Sequence, residues 1–122
     1  FASSAEDVLL VATPDPTSMR DAYAMAKVLN RRSGVDRMFL VSNQVENEAE
    51  GGQLHMRLDA IVKRFLTLEL AYLGCVPRDE IVRNSVASGQ PFVLRAPRSA
   101  PARAMENLAR RLCAEQNARD LC

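Results

Sequence analysis

Asn43 follows directly on a short apolar run, Met38 to Ser42. Its carboxamide can donate to and accept from the edge of a heterocyclic base, which makes it a candidate base reader. Closing a turn after a strand is the other role open to it. Pro77, Arg78 and Asp79 stand just beyond a second apolar run, Leu70 to Val76. Their backbone groups and the aliphatic arginine stem can wall a base pocket, while Asp79 can equally cap a helix. Around Thr13, Pro14 and Asp15, with Asp21 further on, carboxylates flank the expected start of a helix. There the positive end of the helix dipole favours them, and general acid or base work is the less economical reading.

Other reactive side chains lack partners at a useful spacing. His55 is the single histidine and lies beside Gly51 and Gly52, away from any serine or cysteine placed as a nucleophile. A surface or boundary position is expected for it. Cys75, Cys113 and Cys122 are an odd number without a CxxC spacing, so neither a disulfide framework nor a zinc site is expected. Cys75 reads as part of a core strand. No GxxxxGK(S/T) segment occurs in the 122 residues, and the five glycines nowhere form a phosphate-cradling loop. A GxGxxG fingerprint is missing as well. We therefore assign no catalytic and no metal-ligating residue in this chain.

Elements of a parallel α/β unit must position these groups. Val8 to Thr13 is a short continuous apolar run closed by prolines, the pattern of a strand covered on both faces. Ser18 with Asp21 resembles a capping box, and Ala22, Met25, Ala26 and Leu29 recur at helical spacing up to Gly34. After the second strand, Asn43 to Gln53 reads as a polar loop. Leu54, Leu58, Ile61, Val62 and Phe65 then mark the inner face of a second helix. The third strand leads to a helix over Asp79 to Ser88 that bears Ile81, Val82 and Val86, with Gly89 past its end. Gln90 to Arg98 looks irregular, and Ser99 caps a last helix with Met105, Leu108, Ala109 and Leu112 inside. Residues 114–122 are expected to fray.

Strand and helix alternate in the order that right-handed crossovers turn into a parallel sheet. The expected fold is α/β, a partial Rossmann-like three-layer parallel sheet of βαβαβα order plus a C-terminal helix, forming a single partial domain over residues 1–122. Hydrophobic residues at 48% and charged residues at 25% are ordinary for a folded domain. Sixteen basic against fifteen acidic residues leave a net charge of +1, which offers no basic field for nucleic acid. Apolar runs all fall short of the ~20 residues of a membrane helix. The chain opens on Phe1 and enters a buried-type strand almost at once, leaving an apolar pairing edge. A piece of a larger domain is the expectation.

Three strings carry a specific likeness. Residues 5–29 read AEDVLLVATPDPTSMRDAYAMAKVL, residues 39–45 read FLVSNQV, and residues 73–92 read LGCVPRDEIVRNSVASGQPF. In these the chain resembles the second half of MinD/ParA-type ATPases of the SIMIBI class of P-loop proteins, most of all the FlhG/FleN flagellar-number subgroup. The resemblance implies the C-terminal half of a P-loop NTPase domain whose phosphate loop and switch regions lie upstream.

By that family pattern Asn43 contacts adenine, and Pro77, Arg78 and Asp79 line the base pocket. Thr13, Pro14, Asp15 and Asp21 match positions near the nucleotide and the dimer face. The parent protein is expected to bind ATP and Mg and to form an ATP-dependent homodimer. It is also expected to work with an FlhF-like GTPase and with flagellar switch or regulatory proteins. A cytoplasmic location, with reversible contact at the inner membrane, goes with this reading. The chain alone is expected to hold no cofactor tightly and to be inactive. A non-catalytic docking module that keeps the fold is the alternative.

Overall fold

The structure, a computed structural model, describes residues 7–120. Three strands, β1 (Leu9–Ala12), β2 (Arg37–Val45) and β3 (Glu69–Pro77), form one parallel sheet in the order β1-β2-β3. Five helices accompany them among the described residues: α1 (Pro16–Ser33), α2 (Glu48–Phe65), α3 (Glu80–Ser88), α4 (Phe92–Arg95) and α5 (Ala100–Asp120). The expected α/β class and strand direction are therefore observed.

Alternation along the strands divides the core into two layers. Leu10, Ala12, Met38, Leu40 and Leu70 face α1 and α2, where they meet Ala22, Ala26, Leu54, Leu58 and Val62. On the opposite face Phe39, Val41, Leu73 and Val76 pack with Leu108 of α5. β1 is covered on one face only: Leu10 and Ala12 are buried, while Leu9 and Val11 are 45% and 55% exposed. This corrects the expectation of a strand enclosed on both sides. Helix α5 lies over β3 and stops short of β1, leaving an apolar groove of about 460 Å³ above Leu9, Val11 and Val41.

Local chemistry explains where the helices start. Asp15, rather than Ser18, caps α1 by accepting from Thr17 N–H at 3.0 Å, with Pro16 in the first turn where its missing N–H costs nothing. The Ser18 hydroxyl instead accepts from Thr13 N–H at 2.9 Å. Helix α2 begins earlier than expected. Asn47 Oδ1 accepts from Glu50 N–H at 2.9 Å, and Glu50 Oε1 accepts in return from Glu46 N–H at 3.0 Å. Gly51 and Gly52 are thus helical, although glycine inside a helix costs about 1 kcal/mol. The close approach of α2 to β3 offsets that at Gly51, where a Cβ would lie 2.6 Å from Tyr72 Oη and 2.8 Å from Cys75 Cβ.

Two expected inner faces, those of α2 and α5, need correction. In α2 the buried stripe is Gly51, Leu54, Leu58 and Val62, whereas Ile61 and Phe65 are exposed. In α3 only Ser85 is buried, its hydroxyl donating to Gln90 O, and Val86 is 80% exposed. This helix packs on α4, which in turn packs on α5, so neither needs an apolar stripe toward the sheet. In α5 Leu108 is buried and Leu112 half-buried, but Met105 and Ala109 are exposed. Ser99 does sit at its start, accepting from Ala102 N–H at 3.4 Å.

Residues 114–120 continue α5 where the sequence reading expects a tail. Glu115 pairs with Arg37 of β2 at 3.2 Å, and Gln116 Nε2 donates to Asp7 Oδ2 at 3.0 Å. Cys75 lies in β3 as expected, half-buried; Cys113 is exposed, and Cys122 lies outside the described residues. No helix among the described residues is long and apolar enough to cross a membrane.

Candidate functional site

The carboxyl ends of β2 and β3 meet at a polar cleft of about 450 Å³. In open parallel sheets ligands collect outside such ends. Asn43 and Gln44 line one side, and Pro77, Arg78 and Asp79 the other, with Arg83 of α3 beyond. Asn43, Pro77, Arg78 and Asp79, singled out from separate parts of the sequence, thus share a single cavity.

Two irregularities of pairing shape it. Gly74 pairs with Val41 and Tyr72 with Leu40, so Leu73 is an extra residue in β3. Beyond it Asn43 pairs with Val76 and Val45 with Pro77, so Gln44 is an extra residue in β2. Such bulges re-aim the side chains beside them. Gln44 has φ 56, the only non-glycine left-handed backbone among the described residues. Its N–H donates to Asn43 Oδ1 at 2.9 Å. The ladder then resumes, with Arg78 N–H donating to Val45 O at 2.8 Å.

The Asp79 carboxylate is committed locally, its Oδ1 accepting from Ile81 N–H at 2.9 Å as the cap of α3. Arg78 lies 3.8 Å from Glu46 Oε1, but both side chains are about two-thirds exposed, so the pair adds little stability. Its value is to hold the guanidinium at the cleft rim. Asn43 and Val82 also border the apolar groove, which joins a polar edge to an apolar floor. This combination suits a flat heterocycle with hydrogen-bonding edges. Gln44, Glu80 and Arg83 were not singled out from the sequence, and Val82 only as an apolar residue of the third helix. The available signal was the pair Asn43-Gln44 interrupting strand alternation before the apolar Val45.

The remaining candidates do not join this cleft. Pro14 opens on a separate crevice of about 200 Å³ between α1 and α2, beside Glu50, Gln53 and Arg57. Thr13 and Asp15 belong to the cap of α1, with Asp15 N–H donating to Thr13 Oγ1 at 3.3 Å. Asp21 is exposed on α1. His55 Nε2 lies 2.8 Å from Leu70 O, so this nitrogen carries the proton, and the ring tilts against Tyr72 at 5.2 Å. It is a structural histidine at the α2–β3 boundary. No group of three or more metal-binding side chains occurs among the described residues.

Antiactivator FleN of Pseudomonas aeruginosa is 37% identical over 112 residues, which cover 92% of this chain and 40% of FleN. The flagellum site-determining protein YlxH of Helicobacter pylori is 33% identical over 87 residues, 70% of this chain and 29% of that protein. The septum site-determining protein MinD of Bacillus subtilis is 28% identical over 113 residues, 93% and 41% respectively. The chain belongs to the MinD/ParA-type family. No family model matches it. It spans about two-fifths of the length of FleN and of MinD, within their C-terminal half. Of the two long strings behind the MinD/ParA resemblance, the first runs over β1 and α1 in its described part, residues 7–29, and the other from β3 through α3 to Phe92.

Outside the cleft, one residue of β3 carries a displaced proton affinity. Burial, reinforced by a hydrogen bond that the phenol donates to Cys75, pushes the Tyr72 phenol from 10.0 up to about 12. Below the unfolded value the neutral phenol contributes its full stabilisation, and that contribution is lost as pH rises from 10 toward 12. Denaturation midpoints should therefore fall across this window, and fall less in Tyr72→Phe. Parallel curves for the two proteins would show that the phenol is not coupled to folding.

Proposed function

We propose that this chain is the base-side wall of the nucleotide site in a MinD/ParA-type ATPase that regulates flagellar number or placement. The observation that carries it is the shared cleft of Asn43 and Pro77 to Asp79 at the carboxyl ends of two parallel strands. YlxH is named a flagellum site-determining protein, and the related protein of Methanocaldococcus jannaschii, 32% identical over 111 residues, is described as ATP-binding. In this reading Asn43 reads the adenine edge, and Pro77 with the Arg78 stem packs on its face. Thr13, Pro14, Asp15 and Asp21 then serve a neighbouring surface, toward phosphates or a second subunit.

The residues present fit a base better than a triphosphate. The cleft mixes Arg78 and Arg83 with Asp79 and Glu80, and the sequence holds no glycine-rich cradle. Phosphates and Mg therefore belong to the part of the site outside these 122 residues. The whole protein acts as a cytoplasmic nucleotide-dependent dimer with peripheral access to the inner membrane. Its partners are an FlhF-like GTPase and flagellar switch or regulatory proteins.

NMR titration of the chain with adenosine and with ATP tests this. We expect both to bind with similar millimolar affinity, to shift Asn43 and Pro77 to Asp79, and to bind about fivefold more weakly to Asn43→Ala, the worth of one hydrogen bond. No hydrolysis is expected. Micromolar ATP binding would mean that the phosphates are held by this chain after all. Silence toward both nucleosides would favour the docking-module alternative.

A further inference from the structure

Gln44 is a residue in the wrong conformation for its type. Its φ of 56 is a region in which glycine and asparagine sit readily and other side chains pay for crowding against their own carbonyl. The side chain is exposed, so packing does not force the conformation. The backbone does something specific there. It inserts one residue into β2 and lets Val45 return to full burial opposite Pro77, and within the bulge the Gln44 N–H donates to Asn43 Oδ1 at 2.9 Å.

That contact settles which way the Asn43 amide faces. A backbone N–H can only donate, so the side-chain atom it meets must be the oxygen. The oxygen is thereby held toward the backbone, and Nδ2 stands on the other arm of the amide. Asn43 lines the cleft, and no described residue takes the Nδ2 protons.

Resting on the base-binding reading, we infer that Gln44 is the positioning residue for base recognition: its left-handed backbone locks the Asn43 amide so that Nδ2 donates to an acceptor on the edge of a purine. The Gln44 side chain is not required for this; its φ and its N–H are. A substituent that accepts the left-handed region preserves the lock, and one that rejects it pulls the bulge straight and releases the amide.

Adenosine titration of the chain, followed by NMR, is carried out with wild type, Gln44→Gly, Gln44→Asn and Gln44→Val. Glycine and asparagine should retain adenosine affinity within about twofold of wild type. Valine should weaken it about tenfold, the cost of a left-handed β-branched residue. The Asn43 side-chain amide resonances should move in Gln44→Val alone. Should valine prevent folding, Gln44→Ala replaces it, with an expected loss of about threefold from its smaller left-handed cost. Equal affinity in all variants overturns the inference and leaves base binding intact. A loss in Gln44→Gly as large as in Gln44→Val also overturns it, by showing that the glutamine side chain is what acts. Failure of wild type to respond to adenosine removes the base-binding reading itself, and this inference with it.

Discussion

Gly74→Ala is expected to lower the stability of the chain by about 2–4 kcal/mol, a large part of the roughly 5–15 kcal/mol that holds a domain of this size together. Two costs combine. Gly74 has φ 154, where any Cβ is strained, at about 1–3 kcal/mol. The added carbon would also stand 2.8 Å from Leu108 Cδ2 and 2.8 Å from Arg111 Nη1. Leu108 is the buried anchor of α5, and Arg111 Nη1 donates to Leu73 O at 2.7 Å, so relief on either side gives up a native contact. Gly52→Ala is the control: its Cβ would meet nothing within 4 Å, and helix propensity should repay up to about 1 kcal/mol. Chemical denaturation of the two variants measures the difference. Equal midpoints would mean that α5 does not ride on β3 as closely as described.

Truncation of Leu58 to alanine is the second large effect, at about 2–5 kcal/mol, because the side chain is 0% exposed between α2 and the sheet. Ile61→Ala, three residues on, should cost under about 1 kcal/mol, since Ile61 is 41% exposed. The same denaturation experiment separates them, and similar losses would place α2 in a different rotation about its axis.

That pair also shows how far the sequence could be read. Leu54, Leu58, Ile61, Val62 and Phe65 satisfy a generous helical template, so all five look internal. The real stripe is narrower and begins one turn earlier, at Gly51, whose missing side chain leaves no apolar mark. Asn47 with Glu50 signalled that start, but the adjacent glycines resemble a loop when close approach to β3 is unknown. Strand positions and parallel direction were legible because buried strands are continuous apolar runs closed by prolines or polar residues. Asn43 and Pro77 to Asp79 were legible because both follow such runs, and strand ends in a parallel sheet converge.

Other features depend on distant partners. Nothing local announces that α5 continues to Asp120; the cross-connections from Arg37 to Glu115 and from Asp7 to Gln116 join residues far apart in sequence. Similarly, Val86 of α3 is apolar yet 80% exposed, since that helix rests on α4 and only Val82 borders the groove over the sheet. The bulges at Leu73 and Gln44 are properties of a pair of strands and leave only a faint trace in either one.

Those two insertions lie on neighbouring strands and act in opposite senses. Arg37 stands beside Glu69, the spacing widens by one at Val41 and Gly74, and it closes again at Val45 and Pro77. Loss of a single codon at either place would leave one strand out of step and present Asn43 and Pro77 to opposite sides. Loss of one at each would bring them level again. Length changes in this part of a related gene should therefore occur as matched pairs, the second shortening rescuing the first.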